Sequence, residues 1–427
     1  MGATFVEVSS RGWAFWRACL DTCVGLVVGT LYAFLGILVL GIVGEEALSS
    51  LYREVDLDPV FRASMGVVLL AGAVLGIGVP LVFAIERFAA FRAAEESAAV
   101  RPDAVPSFGF RMALAKPPFA HLQTLGTAVF WCVAGLGGIF ALGVLFTEDL
   151  REDVVSWIVL AAMVAVAVAA SLLRGSARRG VERTKDRFDR EQARWKRLVS
   201  EADAADAQRR LASVEVEAPR WLVVPTGRTL GRIANVLLAA TFVALGAFLL
   251  SVFLRQQCRT CDPVYWSEPI ETGIDVLSLA SGIAIATCAA AGAIAWIGGV
   301  TLQFVREIAL AGWAAQGGPR RVDPQAIGPL LTGNRAIVRL QIGLCTIGAG
   351  LLVLGTGALW AESQLLAPGV VLPVAGVLIL VGLVLGWTDA GRSRRERQTI
   401  RDALSPGDVG NPQRATSGRR SPRRQRR

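Results

Sequence analysis

Histidine is nearly missing from this chain: His121 is the only one in 427 residues. A zinc site with histidine ligands, or a Ser-His-Asp triad, would have to be assembled around that one side chain. No Gly-rich loop ending in Lys-Ser/Thr and no His-Glu-x-x-His occurs either, which speaks against an ATP-driven motor and a zinc protease. We therefore expect no catalytic residue, no metal and no cofactor. Lysine is scarce as well. Lys116, Lys185 and Lys196 are the only lysines among 44 basic residues. Such a bias follows a GC-rich coding sequence, so the preference for arginine is not read as phosphate recognition.

Charge is also absent where it would be most telling. The middle of every long apolar stretch is free of Asp, Glu, Lys and Arg, and Asp21, Asp275 and Arg339 lie near stretch ends. An ionisable group within lipid is costly and is kept for function. A proton relay through buried carboxylates therefore has no support.

What the chain has in abundance is apolar length. Apolar residues make up 53% of it and its mean hydropathy is +0.50. A helix needs about 20 apolar residues to cross a hydrocarbon layer of roughly 30 Å. Eight stretches qualify: Val24–Val43, Val67–Ile85, Leu125–Phe146, Val154–Leu173, Ile233–Leu254, Val276–Val300, Leu340–Trp360 and Val370–Trp387. The expected fold is all-α, a polytopic bundle of eight transmembrane helices. The first stretch is read as a retained signal anchor, with Trp13, Phe15 and Trp16 as an interfacial lead-in.

Arginine placement gives the orientation. The loops after the first, third, fifth and seventh stretches hold only Arg53, Arg62, Arg151, Arg255 and Arg259 of the 44 basic residues. By the positive-inside rule both termini are cytoplasmic, in a bacterial plasma membrane. The net charge of +9 resides largely in residues 389–427, where twelve arginines face four acids. This tail is expected to be largely disordered from Ser405 onward, with residues 389–404 able to form a short charged helix, and to lie against anionic lipid headgroups. Nucleic acid is not an expected partner, because the tail has no aromatic residue to stack on bases.

The chain reads as a tandem duplication, with a first four-helix repeat over 1–173 and a second over 219–388. Gly78-Val79-x-Leu81-x-Phe83-x-x-Glu86 at the end of the second stretch matches Gly299-Val300-x-Leu302-x-Phe304-x-x-Glu307 at the end of the sixth. Four spans per half give parallel rather than inverted repeats. Glu86 and Glu307 become a pseudosymmetric pair at the cytoplasmic ends, read either as snorkelling anchors or as a gate. Gly76, Gly78 and Pro80, with Gly298 and Gly299 opposite, are the candidate helix breaks. The Gly-x-x-x-Gly pairs 25/29, 72/76 and 382/386 are close-packing candidates.

Residues 174–218 join the repeats and are charged and helical in pattern. Val181, Phe188 and Trp195 recur every seven residues with Leu198 offset by three. This narrow stripe would dock a protein partner, or pack on the membrane or another cytoplasmic loop. Cys258 and Cys261, spaced as CxxC in an outer loop, would form a disulfide clip or, as a minority reading, a redox pair. The other five cysteines lie in or beside the spans. The expected function is a non-enzymatic scaffold or regulatory component of a membrane complex. A transporter or channel for a small uncharged or weakly polar solute, and a thiol-redox protein using the CxxC, are the alternatives.

Overall fold

The computed structural model describes residues 3–8, 10–47, 58–147, 151–152, 154–217, 219, 226–255, 266–316, 320–322, 331, 335–363 and 367–404. Cys258 and Cys261, and the tail from residue 405, lie outside the described residues. Within them are nine helices: α1 (Arg11–Ala47), α2 (Asp58–Val100), α3 (Phe108–Ala113), α4 (Ala120–Phe146), α5 (Val154–Ala212), α6 (Thr226–Arg255), α7 (Glu268–Ala315), α8 (Ala336–Trp360) and α9 (Pro368–Leu404). Four short strands accompany them: β1 (Thr4–Val6), β2 (Ala104–Pro106), β3 (Val214–Glu215) and β4 (Arg320–Arg321). All the helices except α3 are long and apolar enough to cross a membrane. Hydrocarbon offers the backbone no water, so each crossing segment must satisfy its own N–H and C=O groups as helix. The outward faces fit that surrounding. Leu69, Leu70, Val74 and Ile77 of α2 and Trp131, Leu136, Ile139 and Leu142 of α4 are exposed, at about 25 cal/mol per Å² if they met water instead of lipid.

The helices do not pack in chain order. The central bundle consists of α1, α2, α8 and α9, with α8 against the other three. The hairpins α4–α5 and α6–α7 pack chiefly within themselves. One leans on α2, the other on α9 and α8. The matched segments ending in Glu86 and Glu307 thus occupy unlike places, one in the bundle and one in an outer hairpin.

Glycine sets how closely the bundle closes. A Cβ on Gly25 or Gly29 of α1 would come within 2.6 Å of the Cβ of Cys345 or Ala349 on α8. From the other side, a Cβ on Gly382 of α9 would lie 2.8 Å from the Cys345 sulfur, and one on Gly386 would overlap the Gln341 side chain. Two Gly-x-x-x-Gly pairs therefore clamp α8 from both flanks. The third pair, Gly72 and Gly76, meets nothing within 4 Å. Gln341 is fully buried at this seam, and its amide nitrogen donates to the Ala18 carbonyl (2.8 Å) and the Thr22 hydroxyl (2.9 Å), which ties α8 to α1 in a dry setting.

Two sequence expectations meet a different arrangement. The proposed breaks at Gly76, Gly78, Pro80, Gly298 and Gly299 fall inside uninterrupted helices, α2 and α7. Pro80 removes one backbone donor from α2 without ending it. The stripe of the 174–218 segment is occupied by its own chain. Helix α5 continues for 59 residues, and Phe188, Trp195 and Leu198 are buried while Val181 is half-buried. Phe188 and Trp195 pack with Val8, Phe91, Phe110 and Leu114; Leu198 packs with Ala3, Phe5 and Val105. The stretch 389–404 is the ordered last part of α9 and buries Asp389, Ser393, Arg394, Ile400, Arg401 and Leu404.

Candidate functional site

At the end where α1 starts and α9 finishes, charged side chains from four segments converge. This basic end is closed by β1 and β2, paired in parallel from Thr4↔Ala104 to Val6↔Pro106. Trp13, on the first turn of α1, packs edge-on against Phe110 at 5.0 Å and donates its indole N–H to Glu86 Oε1 at 2.7 Å. Glu86 is 1% exposed. It also faces Arg17 at 3.9 Å and Arg87 at 3.5 Å. Arg17 in turn meets Asp21 at 3.4 Å, and Arg87 donates to the Ala113 carbonyl at 2.6 Å. A buried carboxylate is tolerable only with such partners.

The second group is centred on Arg335, which precedes α8. Its guanidinium pairs with Glu307 at 3.5 Å, Asp389 at 3.3 Å and Glu396 at 2.7 Å. Glu307 accepts the first backbone N–H of α8, from Ala336, at 3.1 Å and another bond from Gln303 at 2.8 Å. A carboxylate there satisfies a donor that has no partner within the helix and faces the positive end of its dipole. Beyond the last apolar stretch, Arg401 of α9 reaches back to Glu7 at 2.6 Å, and Gln398 accepts the Glu7 backbone N–H at 2.8 Å.

Between these groups lies a cavity of about 270 Å³. Arg17, Arg87, Arg335, Arg394, Arg397 and Arg401 line it together with Glu7, Glu86 and Asp389. Six guanidinium groups and three carboxylates form the wall, and Asp21, Glu307 and Glu396 pair with Arg17 and Arg335 from behind it. Arg394 lies over the Trp13 ring at 4.0 Å and donates to the Ser10 carbonyl at 3.3 Å. Burial pushes its guanidinium down to about 10, against the opposing pull of Glu7 and Glu86.

No family model, curated protein or solved structure matches this chain. The site must be read from its own chemistry.

Glu86 and Glu307 both reach the basic end and both are buried, but in different settings. Glu86 lines the cavity and binds Trp13; Glu307 caps α8 and reaches the cavity only through Arg335. His121 lies apart, edge-on to Phe83 at 5.1 Å. Cys19, Cys23, Cys132, Cys288 and Cys345 are free thiols. Sequence reasoning missed Glu7, Arg335, Asp389, Arg394, Arg397 and Arg401. A faint signal existed: residues 389, 393, 397, 400 and 404 recur at helical spacing, and Ile400 and Leu404 give that face an apolar edge. The arrangement is one of electrostatic locks around an arginine-lined cavity.

Proposed function

We propose that this protein is a non-enzymatic scaffold or regulatory component of a bacterial plasma membrane complex, with both termini cytoplasmic. The observation that carries this reading is the closure of the central bundle. Where α1 and α9 meet α8 there is no room even for a methyl group at Gly25, Gly29, Gly382 or Gly386, so that seam offers no solute a path. The bundle then acts as a rigid frame, and the two outer hairpins and the long α5 present surfaces to partners. Arginine enrichment at the end bearing Arg17, Arg335 and Arg394 supports the cytoplasmic placement by the positive-inside rule. The tandem duplication belongs to this proposal: both matched segments end at the same side in a buried glutamate, although the halves pack differently.

With its inner stripe occupied, α5 meets a partner through its outer face. Arg183, Arg190 and Arg197 are exposed there at seven-residue spacing. Crosslinking a tagged full-length chain in cells should recover a stoichiometric protein partner that is lost when these three become Glu. A chain recovered only with itself, in both forms, would refute the scaffold reading.

A further inference from the structure

One arginine in the wall of the basic-end cavity, Arg394, has no carboxylate in direct contact, and Glu7 and Glu86 act on it only from farther away. Glu86 holds Arg17 and Arg87, Glu7 holds Arg401, and Asp389 holds Arg335. Arg394 is 8% exposed, and no carboxylate among the described residues lies within ion-pair distance of it. Its direct company is the Trp13 ring and the Ser10 carbonyl. A guanidinium carries five N–H donors and a full charge, so one ring face and one carbonyl replace only part of the hydration it lost. The cavity before it is about 270 Å³. Pockets for drug-sized ligands run to roughly 300–1,000 Å³, so its occupant is small.

We propose that the cavity binds a phosphate-bearing anion, with Arg394 as its principal ligand and Arg17 at its rim. A tetrahedral oxyanion accepts hydrogen bonds from several guanidinium groups at once, and the planar fork of arginine suits it better than a lysine ammonium. The three carboxylates in the wall hold Arg17, Arg87, Arg335 and Arg401 in place and leave Arg394 facing the cavity. The phosphate group has two possible sources: a soluble phosphate compound entering from the aqueous side, or a phospholipid headgroup, since the apolar parts of α1, α2 and α9 begin beside the cavity. This inference is independent of whether the protein is a scaffold.

Full-length protein in neutral detergent should be dialysed against radiolabelled inorganic phosphate at constant ionic strength. In parallel, its unfolding temperature should be measured in phosphatidylcholine vesicles with and without phosphatidylglycerol. If the ligand is soluble, phosphate binds saturably, and Arg394→Gln and Arg17→Gln each weaken binding about tenfold or more. Arg392→Gln, which removes the same charge from an exposed position on α9, leaves it unchanged. If the ligand is a headgroup, free phosphate does not bind. Phosphatidylglycerol then raises the unfolding temperature, and the increment vanishes in the Arg394 and Arg17 variants only. The half-exposed Arg17 keeps the test decisive should Arg394→Gln fail to fold. The proposal is overturned if neither probe has an effect, or if Arg392→Gln abolishes the effect as completely as Arg394→Gln.

Discussion

Replacing Trp195 separates an internal core from a docking surface. The indole is 2% exposed and packs near Phe110, with ring centroids 6.5 Å apart, in the cluster that includes Phe91, Leu114 and Phe188. An aromatic of this size buries roughly 150–250 Å². At about 25 cal/mol per Å² this is roughly 4–6 kcal/mol, an upper estimate because the unfolded chain already buries some of it. Trp195→Ala should therefore destabilise the local unit by about 3–5 kcal/mol. Trp195→Phe should behave differently. It loses three ring atoms, roughly 2 kcal/mol of transfer energy, but it also removes an indole N–H that has no hydrogen-bond partner, a buried donor worth about 1–3 kcal/mol of penalty. The two terms nearly cancel. Amide hydrogen exchange over residues 181–205 reads this directly. Each 1.4 kcal/mol is tenfold in opening, so the Ala variant should exchange on the order of 10²–10⁴-fold faster while the Phe variant matches the parent. Equal exchange in parent and Ala variant, with no partner present, would refute the packing of α5 onto its own chain.

Gly29→Ala and Gly382→Ala should each lower the unfolding temperature by inserting a methyl group into a closed seam, at about 1–3 kcal/mol, whereas Gly72→Ala, with open space before it, should be tolerated; equal losses at all three, measured by thermal unfolding in detergent, would contradict the α1–α8–α9 clamp. Arg335→Met leaves Glu307, Asp389 and Glu396 without their shared cation and should cost about 3–5 kcal/mol; unfolding at the parental temperature would show that the triad contributes nothing. For orientation, a cysteine placed at the exposed Ser200 should react with a membrane-impermeant thiol reagent in inverted vesicles and not in intact cells. The opposite pattern would overturn the cytoplasmic assignment.

The eight membrane-length helices were legible because apolar length in lipid admits only helix. Their packing order was not. A helix apolar on all sides carries no periodicity to say which face meets which neighbour, and glycine spacing is ambiguous: the pairs 25/29 and 382/386 sit in contacts, while 72/76 does not. The stripe on α5 was visible as a pattern, but a pattern does not name its occupant. Phe188 and Trp195 proved to face Phe91 and Phe110, residues some hundred positions earlier. The cavity was hidden most deeply. Arg394 stands in a run of arginines and acids that composition reads as solvated, and only the return of Glu7 and Ser10 from the other end of the chain turns it into a wall.

That return has a consequence in time. Glu7 and its partner Arg401 are 394 residues apart. At a synthesis rate of about 5–20 residues per second, roughly 20–80 s separate their emergence from the ribosome. During that interval β1 can pair with β2 and pack on α5, while Glu7 still lacks Arg401. The cavity exists only once the last helix has been inserted and its charged end has come back to the beginning. A chain stopped before α9 would still have no such chamber, so its formation reports that α9 has come into place.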